Sequence, residues 1–262
     1  MPNSSDDQAR LSPIGVVAAL ESVIFDELEI GASLPAEAEL ATRFGVSRLT
    51  LREGIRKLEA RGLLDVSQGR RAVVAAPTGV HMGDGFVSAI RRSQGAVLEL
   101  LEVRRALEVH SVSIAAKRAD EVDLDGMARA VGAMRAADDP ARYLDADLGF
   151  HQLLARSAHN SMLTLVIDGL TDALRLSLAQ SYRGHLNRGL RTSDAVEQHA
   201  EILELVRSRD AGGAARAMRL HLRQAERDLQ AAQRSAQQPW LESYPPEWAA
   251  SAGERADGES AL

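Results

Sequence analysis

Cysteine is absent from the sequence, and aromatic residues make up only 3% of it. Without cysteine the chain has no disulfide framework, no cysteine-ligated zinc site and no thiol nucleophile, so a reducing cytoplasm is the expected compartment. Long apolar runs are also missing, and residues 1–15 lack a basic start followed by an apolar stretch. We therefore expect neither a membrane-spanning helix nor a secretory signal.

Charge is unevenly distributed along the 262 residues. The net charge of −6 argues against a basic coat over the whole molecule, and 45% hydrophobic residues are enough to form the cores of about two domains. Between Arg43 and Arg71, however, there are eight basic residues and three acidic ones. A local basic segment of this kind is typical of a phosphate-binding surface, although a solvated helix face gives the same pattern.

Residues 10–77 have the pattern of a winged helix-turn-helix. Apolar positions recur at helical spacing over residues 14–28, and Pro35 stands in the first turn of a second helix that Gly45 ends. Ser47 is placed to cap a third helix that ends near residue 62. Two short extended runs follow around a glycine-containing turn, at residues 63–67 and 72–76.

The rest of the chain is predicted to be almost entirely helical. The glycine-containing segment 78–95 is interpreted as an interdomain linker, and residues 96–233 as an all-helical bundle. The predicted helices lie at residues 97–119, 121–137, 140–157, 161–183, 191–209 and 211–233. Residues 234–262 are predicted to form a flexible acidic tail, although Trp240 and Trp248 leave open that the tail packs back onto the body.

The third helix of the first domain is predicted to present its first turns to DNA, because the second helix of a helix-turn-helix lies in the major groove. Leu51, Ile55 and Leu58 form its buried stripe, so Leu49 and Arg52 point away from the core. Arginine can bond two acceptors of guanine, and leucine suits a thymine methyl group. A winged helix used only for protein contacts is the alternative. The residues predicted to contact DNA, including the flanking basic residues and the wing, are Arg43, Ser47, Arg48, Leu49, Thr50, Arg52, Gly69 and Arg70.

Four residues of the helical bundle are candidate ligands for a divalent metal ion. Asp147 and His151 are four residues apart, so their side chains leave the same face of one helix. His199 and His221 lie in the last two predicted helices, on otherwise apolar or small-residue faces. One carboxylate and three imidazoles would suit a borderline metal ion, but the same spacing also fits a surface hydrogen bond and ordinary buried histidines. The remaining histidines, which we interpret as surface or helix-capping residues, are His81, His110, His159 and His185.

The first domain resembles the GntR family of bacterial transcription regulators over residues 13–77. The resemblance is carried by LPAEAELA at residues 34–41, FGVSRLTLRE at residues 44–53 and the glycine of the wing. It implies DNA contacts for Arg48, Thr50, Arg52 and Gly69. Ala38 departs from the pattern, because many members have a DNA-contacting arginine there, and Arg71 replaces the second wing glycine.

The second domain resembles the FCD ligand-binding domain, which defines the FadR-type subfamily, over residues 96–232. EVRRALE at residues 102–108 carries this resemblance together with Asn160 and the motifs DLGFH, EQH and MRLH, which end at His151, His199 and His221. The resemblance implies a divalent metal ion, zinc first and nickel or manganese as alternatives, held by Asp147 and those three histidines.

The same resemblance implies that the domain senses a small organic or sugar acid. Arg104 falls in a motif and is the first candidate for the residue that anchors the carboxylate, since arginine binds carboxylates through two hydrogen bonds. Arg104 could instead form a buried ion pair with Glu108 or Glu102. Weaker candidates for effector contacts are Asn160 and Arg175.

The sequence therefore predicts a mainly α protein with an N-terminal winged helix-turn-helix, made of three helices and a β-hairpin, and a six-to-seven-helix FCD bundle. We expect a cytoplasmic homodimer that binds a palindromic operator in double-stranded DNA and acts as a repressor relieved by its acid effector. One alternative keeps the fold but gives the metal a purely structural role. A metal-dependent hydrolase is a further alternative, disfavoured because the sequence has no HExxH motif and no acid–base residue in a motif position beside the ligands.

Overall fold

The computed structural model describes residues 12–93 and 95–235. The chain divides into two compact units after His81. The described residues form eleven α-helices and one two-stranded antiparallel sheet. The mainly α fold with an N-terminal winged helix-turn-helix is thereby confirmed. None of these helices is long and apolar enough to cross a membrane.

The N-terminal unit has the predicted order of elements. Helix α1 continues for one further turn as a π-helix over Val23–Glu27, and α3 is the second helix of the helix-turn-helix. The two strands are shorter than the extended runs expected from the sequence, because each pairs over only two residues, Leu64 opposite Val74 and Asp65 opposite Val73. The elements are α1 Pro13–Ser22, α2 Glu37–Phe44, α3 Arg48–Glu59, β1 Leu64–Asp65 and β2 Val73–Val74.

The turn between α2 and α3 follows the chemistry of two residues. Gly45 adopts φ 65° and ψ 29°, the left-handed conformation that glycine accommodates without a Cβ penalty, and this ends α2. Ser47 caps α3 by accepting a hydrogen bond from the Thr50 amide at 3.1 Å. Leu51 and Leu58 of α3 are fully buried against α1, which fixes the opposite face of α3 towards solvent.

The C-terminal unit is an all-helical bundle. Helix α11 packs against both α5 and α9, and α6 packs against α7. The core of the unit is formed by leucine, valine, alanine and methionine side chains with Phe150 fully buried among them. The helices are α4 Val80–Arg92, α5 Ala96–Arg118, α6 Glu121–Ala136, α7 Pro140–Arg156, α8 Ser161–Gly169, α9 Thr171–Asn187, α10 Thr192–Arg207 and α11 Ala211–Ser235.

The structure differs from the sequence-based expectation at three places in this unit. The predicted linker 78–95 contains helix α4, which its glycines disfavour but which the burial of Ile90 against the bundle core stabilises. The single predicted helix over residues 161–183 is two helices, α8 and α9, separated at Leu170 directly after Gly169. Apolar periodicity continues through this break, so the pattern alone does not reveal it.

The third difference concerns the predicted tail. Arg234 and Ser235 belong to α11, so the helix ends two residues later than expected. The rest of the predicted tail, with Trp240 and Trp248, lies outside the described residues, as do residues 10 and 11 of the predicted DNA-binding domain.

Candidate DNA-binding face and metal centre

The start of α3 presents two exposed side chains to solvent. Arg48 is exposed, and 68% of Leu49 is accessible although it is a large apolar residue. The hydroxyl oxygens of Ser47 and Thr50 lie 2.8 Å apart, so both residues also take part in the cap of the helix. Of the predicted DNA-contacting residues in this turn, Arg48 and Leu49 are therefore the two whose side chains form no hydrogen bond or ion pair with described residues.

Two further predicted DNA-contacting arginines are held by glutamates within the N-terminal unit. The Nε atom of Arg52 donates to Glu37 at 2.8 Å, and Arg43 forms an ion pair with Glu27. The hydrogen bond from Arg43 lowers the pKa of Glu27. Since both arginines remain exposed, each can exchange its glutamate for a phosphate.

The wing requires glycine at one position. Gly69 has φ +76°, a left-handed conformation that other residues adopt only with strain, and it lies exposed beside Arg70. A Cβ atom at Gly69 would contact no atom within 4 Å. The backbone conformation, and not crowding within the chain, therefore explains why glycine stands at this position. An exposed backbone without a side chain, next to an arginine, can approach DNA closely.

In the C-terminal unit the three predicted histidine ligands come together. His151 of α7, His199 of α10 and His221 of α11 are buried, and one ring nitrogen of each lies within 4.8 Å of those of the other two. The Oδ1 atom of Asp147 lies 2.9 Å from Nε2 of His199 and 3.3 Å from Nε2 of His151. The helical spacing of Asp147 and His151 thus places both side chains on the side of α7 that faces His199 and His221.

Outer contacts orient the three imidazoles. The Nδ1–H of His199 donates to the carbonyl oxygen of Ala195 at 2.7 Å, which directs Nε2 towards the cluster. Nδ1 of His221 bonds to the side-chain oxygen of Gln198 at 3.0 Å, and Nδ1 of His151 lies 2.7 Å from Glu108. Metal-binding histidines are commonly held through their second nitrogen by a carboxylate, an amide or a backbone carbonyl.

The donor set fits a divalent metal ion. The Oδ1 atom of Asp147 and the Nε2 atom of His199 are buried, and although they lie close together neither forms a hydrogen bond of good geometry with a described residue. Burial disfavours the charged form of Asp147, but the neighbouring His199 and His151 hold its pKa well below the ordinary value. Burial, and then the charges of His199 and His151, keep the pKa of His221 well below the ordinary value, so this ring is neutral, as a metal ligand must be.

A cavity of about 480 Å³, measured with its open mouth, borders this cluster. Its lining includes Arg104 and three of the four predicted ligands, Asp147, His199 and His221. The rest of the lining includes polar residues that the sequence did not single out for this role, Tyr143, Ser181, Tyr182, His185, Gln224 and Asp228.

Arg104 is both ion-paired and directed towards the cluster. Only 1% of it is exposed, and its Nε donates to Glu108 at 2.7 Å, so the partner is Glu108 and not the exposed Glu102. Its Nη2 lies 3.4 Å from Nε2 of His151, and its Nη1 has no hydrogen-bond partner among the described residues. The two interpretations of Arg104 are therefore compatible, because one edge of the guanidinium faces Glu108 while the residue also lines the cavity.

The other two predicted effector-binding residues lie outside the cavity lining. Asn160 caps α8 and accepts hydrogen bonds from the amides of Met162 and Leu163 at 3.1 and 3.3 Å. Arg175 forms an ion pair with Asp145. Neither residue is brought together with Arg104 and the metal ligands.

His185 corrects another expectation, because it is no surface residue. It is only 5% exposed, its Nδ1 lies 3.0 Å from Asp228, and its Nε2 lies 3.0 Å from the carbonyl oxygen of Arg191. Glu108 and Gln198 are the other important residues without a predicted role at the metal. The motifs EVRRALE and EQH contain both, but spacing alone does not indicate which atom each one supports.

This combination defines a class of protein, a winged helix-turn-helix joined to a ligand-binding helical bundle. Two family models match the chain, "Bacterial regulatory proteins, gntR family" over residues 15–74 and "FCD domain" over residues 99–224.

Curated relatives and a solved structure agree with these matches. The Glc operon transcriptional activator of Escherichia coli (strain K12) is 29% identical over 82% of this chain and 87% of its own length. A protein of the same strain is provisionally named as the regulatory protein of the L-lactate dehydrogenase operon. It is 30% identical over 79% of this chain and 82% of its own length. The solved structure of a Streptococcus agalactiae GntR protein is 25% identical, covers 82% of this chain and 99% of its own, and gives a TM-score of 0.63.

The chain belongs to the GntR family and carries an FCD domain. It is a DNA-binding transcription regulator and not an enzyme, because the family and the curated relatives are regulators.

Proposed function

We propose that a divalent metal ion and a small organic acid, bound together in the bundle, control the affinity of this regulator for its operator. The observation that carries the proposal is the shared lining of one cavity by Arg104, Asp147, His199 and His221. A metal ion held by Asp147, His151, His199 and His221 would act as a Lewis acid that attracts a carboxylate. Zinc is the first choice, because three imidazoles and one carboxylate are ligands that zinc prefers.

The acid is proposed to be small and hydroxylated. Arg104 offers Nη atoms to a carboxylate, and Tyr143, Gln224 and Asp228 in the cavity lining offer partners for a hydroxyl group. One relative is provisionally named for the L-lactate dehydrogenase operon, and L-lactate is an acid of this type. We propose a 2-hydroxy acid as the first compound to test.

On the DNA side we propose a cytoplasmic homodimer that reads a palindromic operator. Arg48, Leu49, Arg52 and the wing at Gly69 would contact bases and phosphates, and two-fold symmetry of the dimer would match the two half-sites. Binding of the acid would favour one placement of the paired DNA-binding units over another and thereby shift operator affinity. We propose repression that the acid relieves.

Metal analysis of purified protein tests the metal centre. We expect one metal ion per chain by elemental mass spectrometry after dialysis, and loss of that ion in a His221→Ala variant, because the variant lacks one imidazole. His110→Ala is the matched control, since His110 is an exposed histidine on α5.

Full metal content in His221→Ala would contradict the proposed ligand set. Unfolding on chelation, with no effect of any acid on operator affinity, would favour the alternative in which the metal is purely structural.

A further inference from the structure

The solvent-facing side of α11 carries a row of arginines, called here the arginine row. All five members are exposed: Arg216, Arg219, Arg223, Arg227 and Arg234. At about 100° per residue they fall within an arc of roughly 80° around the helix. At about 1.5 Å rise per residue the row extends for about 27 Å.

Few ion pairs with the described residues balance this row. Arg216 is the only member with an ion pair there, to Asp210 at 4.0 Å. The acidic residues of α11 are engaged elsewhere, Glu226 with Arg105 and Asp228 with Arg188 and His185. A concentrated row of positive charge on a protein with a net charge of −6 is a binding surface for an acidic partner.

A groove of mixed polarity adjoins the N-terminal half of the row. It lies between α10 and α11 and has a volume of about 750 Å³ with its open mouth. Its lining combines Leu205, Ala217 and Leu220 with three arginines of the row and two acidic residues, Arg216, Arg219, Arg223, Glu201 and Asp210. Leu220 is 54% exposed. Arginine beside exposed leucine suits an aromatic side chain, because the guanidinium group stacks on its ring.

The sequence that follows α11 has the complementary chemistry. Residues 236–262 contain five acidic side chains and one arginine, and they include both tryptophans of the chain, Trp240 and Trp248. Thirteen residues lead from Ala236 to Trp248. At about 3.3 Å per residue this length reaches about 40 Å, which exceeds the length of the row. Covalent continuity gives this segment an effective concentration of roughly millimolar at the row, an advantage that no separate partner has.

We propose that residues 236–262 fold back and dock along the arginine row of α11. Their carboxylates pair with the guanidinium groups, and Trp248 enters the groove beside Leu220. The docked segment neutralises the row and keeps it from binding nucleic acid without sequence preference.

Tryptophan fluorescence of the full chain tests this proposal directly, since both tryptophans lie in the proposed docking segment. In Arg223→Glu/Arg227→Glu we expect a red shift of the emission maximum and an increase in quenching by acrylamide. The matched control is Lys117→Glu/Arg129→Glu, which reverses two exposed charges on α5 and α6 and should leave both readings unchanged. Adding Glu242→Arg/Glu247→Arg to the row variant should restore the emission of the original chain, because the pairs reform with opposite sign.

Each of three results would overturn the proposal. The first is identical emission and quenching in the row variant and the original chain. The second is a loss of DNA affinity without any change in fluorescence, which would assign the row to the phosphate backbone. The third is a change in oligomeric state without a change in fluorescence, which would assign it to a second copy of the chain.

Discussion

At the scale of single residues, Glu108 connects the two functions assigned to the cavity. Its Oε1 accepts from Arg104 at 2.7 Å and its Oε2 lies 2.7 Å from His151, with all three side chains buried. Burial opposes the charged form of Glu108, but Arg104 and His151 lower its pKa below the ordinary value. Glu108 therefore remains ionised and balances the arginine beside a candidate metal ligand.

Replacing Glu108 by glutamine leaves Arg104 buried without a counter-charge. We expect Glu108→Gln to lower the free energy of unfolding of the C-terminal unit by about 3 kcal/mol. The reason is that removing one partner of a buried ion pair leaves the other charge buried and uncompensated. Metal affinity should fall by roughly tenfold or more, because His151 loses the carboxylate that orients it. Urea unfolding and a metal titration measure the two effects.

The control is Glu102→Gln, an exposed position on the same helix, which should change stability by less than about 0.5 kcal/mol. Equal unfolding midpoints for the two variants would show that Glu108 has no such role.

His185 should make stability depend on pH. Both of its ring nitrogens face acceptors, Asp228 and the carbonyl oxygen of Arg191, so the ring is doubly protonated. The bond to Asp228 raises the pKa of His185 against the opposing effect of burial. A raised folded pKa gives stability that is fully present below the unfolded value of about 6.5 and is lost as pH rises through the folded pKa.

Comparison with His185→Gln isolates this contribution. We expect the original chain to exceed the variant in free energy of unfolding by about 1–3 kcal/mol at pH 6, and by less at pH 9. Chemical unfolding at both pH values measures the difference, with His110→Gln as the exposed control. A difference that is constant or grows towards pH 9 would contradict the protonated state.

Some residues of the candidate site could be predicted from the sequence and others could not. Spacing placed Asp147 and His151 on one face of a helix, and the 3.3 Å between Oδ1 of Asp147 and Nε2 of His151 follows from the period of that helix. The roles of Gln198 and His185 depend on contacts across helices, and no periodicity within one helix contains that information. Asn160 belongs to a motif, yet its side chain serves the cap of α8.

At the scale of elements, helix ends were predictable where local chemistry sets them. Asp120 caps α6 in a reciprocal capping box with Asp123, and Asp139 followed by Pro140 begins α7. Helix α4 and the break at Leu170 were missed, because packing against the bundle core outweighs the propensity of the local sequence.

Gly184 sets how closely α9 and α11 approach. A Cβ atom at this position would overlap the carbonyl oxygen of Asp228 and lie 3.1 Å from the amide nitrogen of Ala232. We expect Gly184→Ala to lower the free energy of unfolding by about 3 kcal/mol, because the two helices must separate to admit one methyl group.

Gly132→Ala is the matched control on α6, where a Cβ atom would meet nothing within 4 Å. Alanine should stabilise that helix by about 0.5–1 kcal/mol. Thermal unfolding followed by circular dichroism compares both variants, and equal transition temperatures would mean that α9 and α11 are not held in close contact.

At the scale of the whole molecule, composition predicted about two domains and a local basic segment. The chain divides into two compact units after His81. The DNA-binding half was recognisable because a glycine, a serine cap and an apolar stripe occur in a fixed order along α2 and α3. The cavity was less predictable, since five helices contribute to its wall and their mutual placement is a product of tertiary packing. A motif therefore indicated the candidate ligands, while the polar residues that line the cavity beside them became visible only in three dimensions.

The operator affinity of metal-loaded protein, measured with and without a 2-hydroxy acid at fixed salt, shows directly whether the acid controls DNA binding. The operator would be the sequence shared by genomic fragments that the original chain retains and Arg48→Ala releases. We predict that L-lactate, or a related hydroxy acid, weakens operator binding at least tenfold for the original chain, and that Arg104→Ala removes this response while retaining affinity without acid. If no small acid changes the operator affinity of protein with a full complement of metal, the cavity does not control DNA binding as proposed.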